Sequence, residues 1–175
     1  MAGDQLLSGA RALVPRPITA EAFAPYGDLV TSAGRHGCSI NAGTSVRVEM
    51  PEPDVLGDGG RPSLCVFRAH AVRLPFELRE LERHRLGSQT FLPLGGRPFV
   101  VVVALGADAP EPATLAAFRV DGDCGVTFRR GVWHHPLLAL EEGDFAVIER
   151  RGVDVDCEVV GVPGGVWMLG DQPPA

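Results

Sequence analysis

Lysine is missing altogether: all 16 basic residues are arginine. No lysine amine is there to form a Schiff base with a carbonyl compound. Every side-chain cation that is charged at all pH values is therefore a guanidinium, which keeps its proton and holds carboxylates with a planar fork. A basic excess is missing too. The formal charge is −6, a poor match for a phosphate backbone, so no nucleic-acid partner is expected. The longest apolar run, "FVVVVAL" from Phe99 to Leu105, is far too short to cross a bilayer, and no membrane partner is expected. The opening "MAGDQLLSGARALVPRP" has no basic stretch followed by a long apolar one and does not read as a secretory signal. Cys38, Cys65, Cys124 and Cys157 lie far apart and make no CxxC pair. A reducing, cytoplasmic setting is expected, with Cys65 and Cys124 as packing residues.

What the chain does have is punctuation. Its 22 glycines and 15 prolines separate short apolar stretches, a pattern that suits many short strands joined by turns. "SLCVFRAHAV", "QTFLPL", "FVVVVALG", "CGVTFRR", "DFAVIERR" and "VDCEVVGV" read as strands, the third so continuously apolar that both of its faces should be buried. Helix signals are few. Thr19 is a candidate N-cap for a short helix that Pro25 stops, and "PATLAAFRV" reads as a helical turn or a strand lead-in. Residues 51–62, "PEPDVLGDGGRP", read as a mobile loop. The expectation is all-β, a barrel or a sandwich with a few short helices: residues 1–17 a loose extension, residues 18–175 one domain.

Two segments carry chemistry. In "ELERHRLGSQTFLPLGG", Glu82 and His84 stand at i and i+2, so on a strand they share a face, and Gln89 and Gly96 follow. From His84 onward this layout resembles the first cupin motif, with Glu82 at the place of its first histidine and Gln89 at the place of its glutamate. In "GVTFRRGVWHHPLL", Gly131 to His134 resembles the GxxH of the second motif, with Arg129 at the place of the cupin proline and Leu138 at that of its asparagine. Together they predict Glu82, His84, Gln89 and His134 converging inside one barrel. Two imidazoles, a carboxylate and an amide oxygen suit a divalent first-row metal such as Ni²⁺, Mn²⁺ or Zn²⁺. The competing reading makes both histidines hydrogen-bonded structural residues. His134 and His135 cannot both face inward on extended chain; the motif selects His134, leaving His135 and Trp133 on the other side for support and packing.

Arg68 interrupts the apolar strand "CVFRAHAV", where a charge is costly unless paired. Either it meets a carboxylate such as Glu149 or it awaits an anionic ligand. "INAGTSVRV" adds Asn41 at a turn and Arg47, the latter read as a solvated residue.

The blocks "ERHRLGSQTFLPL", "GVWHHPL", "INAG" and "DFAVIERR" resemble the ureidoglycolate lyase family of allantoin degradation, over about Ile18 to Val159. The resemblance implies a cupin-like barrel, paired as a homodimer, that cleaves (S)-ureidoglycolate to glyoxylate and urea. It implies His84, His134 and Glu82 as catalytic residues, and Asn41, Arg68 and Gln89 at the substrate. It also implies a metal held by His84, Gln89, His134 and Glu82. The cleavage needs the C2 hydroxyl deprotonated and urea expelled, chemistry open to histidine and carboxylate and independent of lysine. Two rivals differ in outcome: an amidohydrolase would release ammonia, and a small-carboxylate-binding cupin would turn nothing over.

Overall fold

A computed structural model describes residues 11–164 and 167–170. Two sheets face each other. One has five strands, in the order Gly27–Val30, Gly125–Phe128, Gln89–Leu94, Gly143–Arg151, Arg61–Ala69. The other has seven. Its path runs Glu158–Gly161, Glu80–Arg83, Trp133–His134, Phe99–Ala104, Ala116–Val120, Arg16–Pro17, and Leu138–Ala139 also pairs with Phe99–Ala104. Most neighbours are antiparallel and distant in sequence, as in a cupin-like barrel.

The strand Phe99–Ala104 is buried at every residue, and its alternation divides two cores. Phe99, Val101 and Val103 point into the barrel with Phe91, Phe118, Phe128, Phe145 and Val147. Val100, Val102 and Ala104 point outward, against Leu81, Trp133, Leu138 and a small three-stranded sheet that supplies Leu78 and Leu169. Six of the eight phenylalanines are fully buried in the barrel core, several edge to face, with ring centroids 5.8 Å apart for Phe91–Phe128 and 5.3 Å for Phe99–Phe145. Such pairs add roughly 0.5–1.5 kcal/mol each beyond their buried area.

Among the described residues the one α-helix is short, Ala20–Phe23, and Thr19 caps it by accepting the Ala22 N–H. "PATLAAFRV" supplies both expected features, a 3₁₀ turn at Pro112–Thr114 and the strand Ala116–Val120.

Two expectations change. The loose extension does not reach residue 17, because Arg11–Leu13 pairs with Trp167–Leu169 and Arg16–Pro17 pairs with the strand Ala116–Val120; residues 1–10 lie outside the described ones. The loop expected over 51–62 is there but ends at residue 60. Its Val55 is buried, its Asp54 carbonyl accepts the Ser88 N–H, and residues 61–62 already belong to the strand Arg61–Ala69.

Candidate active site

The strand Glu80–Arg83 and the residue after it alternate as the spacing demands. Leu81 and Arg83 turn outward; Arg83 stacks over Trp133 at 4.0 Å and pairs with Glu158 at 2.8 Å. Glu82 and His84 turn inward. Glu82 sits directly across from His134 on the neighbouring strand, and the Gly131 N–H donates to the His84 carbonyl at 2.6 Å. Gly131 has a φ of 79°, the left-handed turn that frees the chain to bring His134 in after it. The two histidine segments are thus pinned to each other by backbone, independently of any ligand.

The facing sheet contributes a second inward row. Gln89 lies between Phe128 and Glu149 on its two neighbouring strands. The Gln89 amide donates to Glu149 Oε2 at 3.1 Å, which turns its Oε1 toward His134 Nε2 at 3.2 Å. Phe128 stacks on the His134 ring, centroids 4.4 Å apart and nearly parallel. His134 is 1% exposed, so ring and amide together allow it one orientation.

Ligand atoms of Glu82, His84 and His134 all lie within 4.8 Å of one another. Each imidazole has its Nδ1 placed on a backbone carbonyl, His84 on Asp156 and His134 on Val132. For His84, an Nδ1–H donated to the carbonyl leaves Nε2 as a lone pair, the arrangement that orients metal-binding histidines. His134 Nε2 instead faces two acceptors, the Gln89 carbonyl oxygen and Glu82, and donates its proton toward them until a cation takes that place. His84 Nε2 is buried with no hydrogen-bond partner among the described residues. Glu82 Oε1 stands 3.6 Å from His134 Nε2. With the His134 Nε2 proton displaced, two imidazole nitrogens, a carboxylate and the Gln89 carbonyl oxygen face one space, a donor set that fits a divalent first-row cation.

Burial alone would raise the Glu82 carboxyl. The hydrogen bond and charge of His134, the charge of His84 and the Cys157 thiol outweigh it and hold the group below its ordinary value. Cys157 Sγ lies 3.6 Å from Glu82 Oε2, and burial together with that carboxylate pushes the thiol up to about 11, so it stays protonated and donates. His84 opens onto a cavity of about 340 Å³, walled by Ser88, Glu149, Arg150 and the loop 152–157.

Of the six site residues named from sequence, four meet here: Glu82, His84, Gln89 and His134. Asn41 and Arg68 do not. Asn41 opens the turn of an exposed hairpin, Cys38–Ile40 with Ser45–Arg47, whose strands pair only with each other among the described residues. Arg68 lies on the strand Arg61–Ala69, where Cys65 and Ala69 pack on the barrel core, so by alternation Arg68 faces outward with Leu64 and Val66. It pairs across the strands with Asp144 at 3.4 Å rather than with Glu149, five residues further along. Sequence reading also passed over Phe128 and Arg150, which touch or wall the site.

A family model for ureidoglycolate lyase matches residues 10–168. The chain belongs to the ureidoglycolate lyase family. Relatives named ureidoglycolate lyase are 43% identical to it. The protein from Burkholderia mallei (strain NCTC 10229) aligns over 157 residues, 89% of this chain and 92% of its own length. That from Pseudomonas entomophila (strain L48) aligns over 155 residues, 85% and 90%. That from Stutzerimonas stutzeri (strain A1501) aligns over 150 residues, 85% and 88%. The family match takes in Arg11–Leu13, Arg16–Pro17 and most of Trp167–Leu169, which pair into the sheets.

Proposed function

We propose that this member of the ureidoglycolate lyase family cleaves (S)-ureidoglycolate to glyoxylate and urea at the Glu82/His84/His134 cluster. The observation that carries the reading is that cluster itself: inward-facing, with a buried and unpartnered Nε2 on His84, the member that walls a cavity large enough for a small carboxylic acid.

The reaction consumes no water and no net proton. The C2 hydroxyl loses its proton as the carbonyl forms, the C–N bond breaks, and the departing urea nitrogen takes a proton up. One group that reaches both atoms can therefore serve as base and then as acid. Glu82 fits this role, because its carboxyl is held in the ionised form at neutral pH and accepts the hydroxyl proton before returning it to urea. His134 orients Glu82 from the adjacent strand, and Gln89, fixed by Glu149, orients His134. His84, Gln89, His134 and Glu82 are the residues that would hold a divalent ion. Such an ion supplies polarisation of the hydroxyl, lowering its pKa toward that of the base.

The reading extends to a cytoplasmic homodimer. In support, the outer face of the five-stranded sheet presents Leu64, Val66 and Leu94 to solvent, and the four cysteines are free thiols. Among the described residues no helix is long and apolar enough to cross a membrane.

The test is turnover of racemic ureidoglycolate with glyoxylate, urea and ammonia quantified together, before and after chelation and with Ni²⁺, Mn²⁺ or Zn²⁺ added back. Equal glyoxylate and urea, with half of the racemate left, is the expected result. Ammonia in place of urea would make the chain an amidohydrolase. Binding without turnover would make it a carboxylate-binding barrel.

A further inference from the structure

With Arg68 on the outside of the barrel, the substrate carboxylate lacks the cation assigned to it from sequence. We propose that Arg150 takes that carboxylate, and the proposal rests on the lyase reading above.

Arg150 belongs to the end of the strand Gly143–Arg151, at the wall of the cavity onto which His84 opens. Its guanidinium is held without any carboxylate. Nε donates to the Gly57 carbonyl at 2.7 Å and Nη2 to the Asp58 carbonyl at 2.9 Å. Nη1 is buried and has no partner among the described residues. Among the described residues only two buried side-chain nitrogen or oxygen atoms are orphaned in this way, His84 Nε2 and Arg150 Nη1, and their residues wall the same cavity. A half-buried guanidinium held only by neutral carbonyls keeps its full charge to offer.

The position is built. Three glycines from three separate segments surround this one side chain. A Cβ on Gly87 would fall 2.5 Å from Arg150 Cβ, one on Gly60 2.6 Å from its Cγ, and one on Gly152 2.6 Å from Nη1. None of the three has a left-handed backbone that would itself call for glycine. Close approach to Arg150 is what they permit. The "GDGG" of the loop 51–62 thus has a task, to aim Arg150.

The neighbouring recess, about 530 Å³, is also walled by arginines, but Glu158 pairs with Arg83 and Arg85 and Asp54 with Arg130. Arg151 walls the same cavity as Arg150, but it is exposed and its guanidinium makes no hydrogen bond among the described residues. Arg150 is the preorganised one, and a carboxylate binds best to a fork that is already fixed.

The experiment compares wild type, Arg150→Gln, Arg151→Gln and Gly152→Ala in steady-state turnover of ureidoglycolate. Competitive inhibition by glycolate and by its neutral amide, glycolamide, is measured alongside. Gly152→Ala is included because the atom in its way is the far end of a flexible side chain, so the added methyl displaces the guanidinium and leaves the fold in place. Arg150→Gln should raise KM roughly ten- to a hundred-fold, the loss of a charge-assisted hydrogen bond, and should erase the preference for glycolate over glycolamide. Gly152→Ala should move both readouts in the same direction by a smaller factor. A lowered Tm with KM and preference unchanged would make Arg150 a structural residue and overturn the proposal, as would an effect confined to Arg151→Gln. If wild type makes no urea, the lyase reading fails. The glycolate-over-glycolamide preference, read by calorimetry, still decides the role of Arg150.

Discussion

Gln89→Glu restores the residue that the cupin motif carries at this position, and the neighbouring Glu149 makes it costly. Gln89 is 4% exposed and its amide nitrogen sits 3.1 Å from Glu149 Oε2. A carboxylate there would place two like charges at that spacing, a repulsion of about 5 kcal/mol at an effective dielectric of about 20. Protonating one carboxyl relieves it. That costs about 4 kcal/mol at pH 7 and about 1 kcal/mol at pH 5, starting from an ordinary glutamate value of about 4.3. The smaller of the two penalties applies at each pH. The introduced carboxyl has its folded pKa raised above its unfolded value, so the penalty is absent below the unfolded value and grows as pH rises toward the folded one. For a chain of this size each 1 kcal/mol moves Tm by about 2–4 °C, so the loss should be about 8–16 °C at pH 7 and about 2–4 °C at pH 5. Calorimetric melts in a chelator, at both pH values and relative to wild type, measure it. The double variant Gln89→Glu/Glu149→Gln, which swaps the two groups, should recover most of the loss. A single variant as stable as wild type at pH 7, or a loss equal at both pH values, would refute the reasoning.

Three further outcomes are expected. His84→Gln should abolish binding of Ni²⁺ or Zn²⁺ measured by calorimetry, while His135→Gln, on the opposite face, should leave it in place. Burial pushes the His135 imidazole below its ordinary value, only partly opposed by the Pro136 carbonyl and by Glu80 and Glu82. As pH falls through about 6.5 the unfolded chain takes a proton that the folded one refuses, so stability drops until the folded value is passed; melts of His135→Phe should lose less Tm than wild type between pH 7 and pH 5. Burial, aided by Asp123 and Asp121, raises the Cys124 thiol to about 11, so at pH 8 roughly one molecule in a thousand is thiolate and exposed Cys38 should alkylate far faster, which mass mapping after a short iodoacetamide pulse would show.

The legible part of this molecule was the part written in period two and in turns. Glu82 and His84 at i and i+2, and a glycine three residues before His134, were enough to bring a carboxylate and two imidazoles to one place, since strand alternation and a positive-φ turn are local properties. "FVVVVAL" likewise announced a strand buried on both faces, and the structure uses each face for a separate core. Arg68 was left open between a carboxylate partner and an anionic ligand because its strand was judged by composition. Counting alternation from Cys65 would have put it outside, but only if the inward parity were known, and parity depends on the partner strand. Arg150 was invisible for the opposite reason: its setting comes from three glycines and two carbonyls brought from distant segments. The pairing of Arg11–Leu13 with Trp167–Leu169 also escaped, because strands of three residues carry no measurable period.

The His84 imidazole is oriented by the carbonyl of Asp156, a residue 72 positions further along, whose carboxylate also accepts the N–H groups of Arg85 and Leu86. During synthesis the chain therefore displays both histidine segments well before it has the residue that sets one of them. Until the stretch through Asp156 has emerged and closed back on the barrel, a nascent chain carries the ligands without their geometry. The orientation of the His84 ring is therefore a property of the closed barrel and not of the strand that carries it.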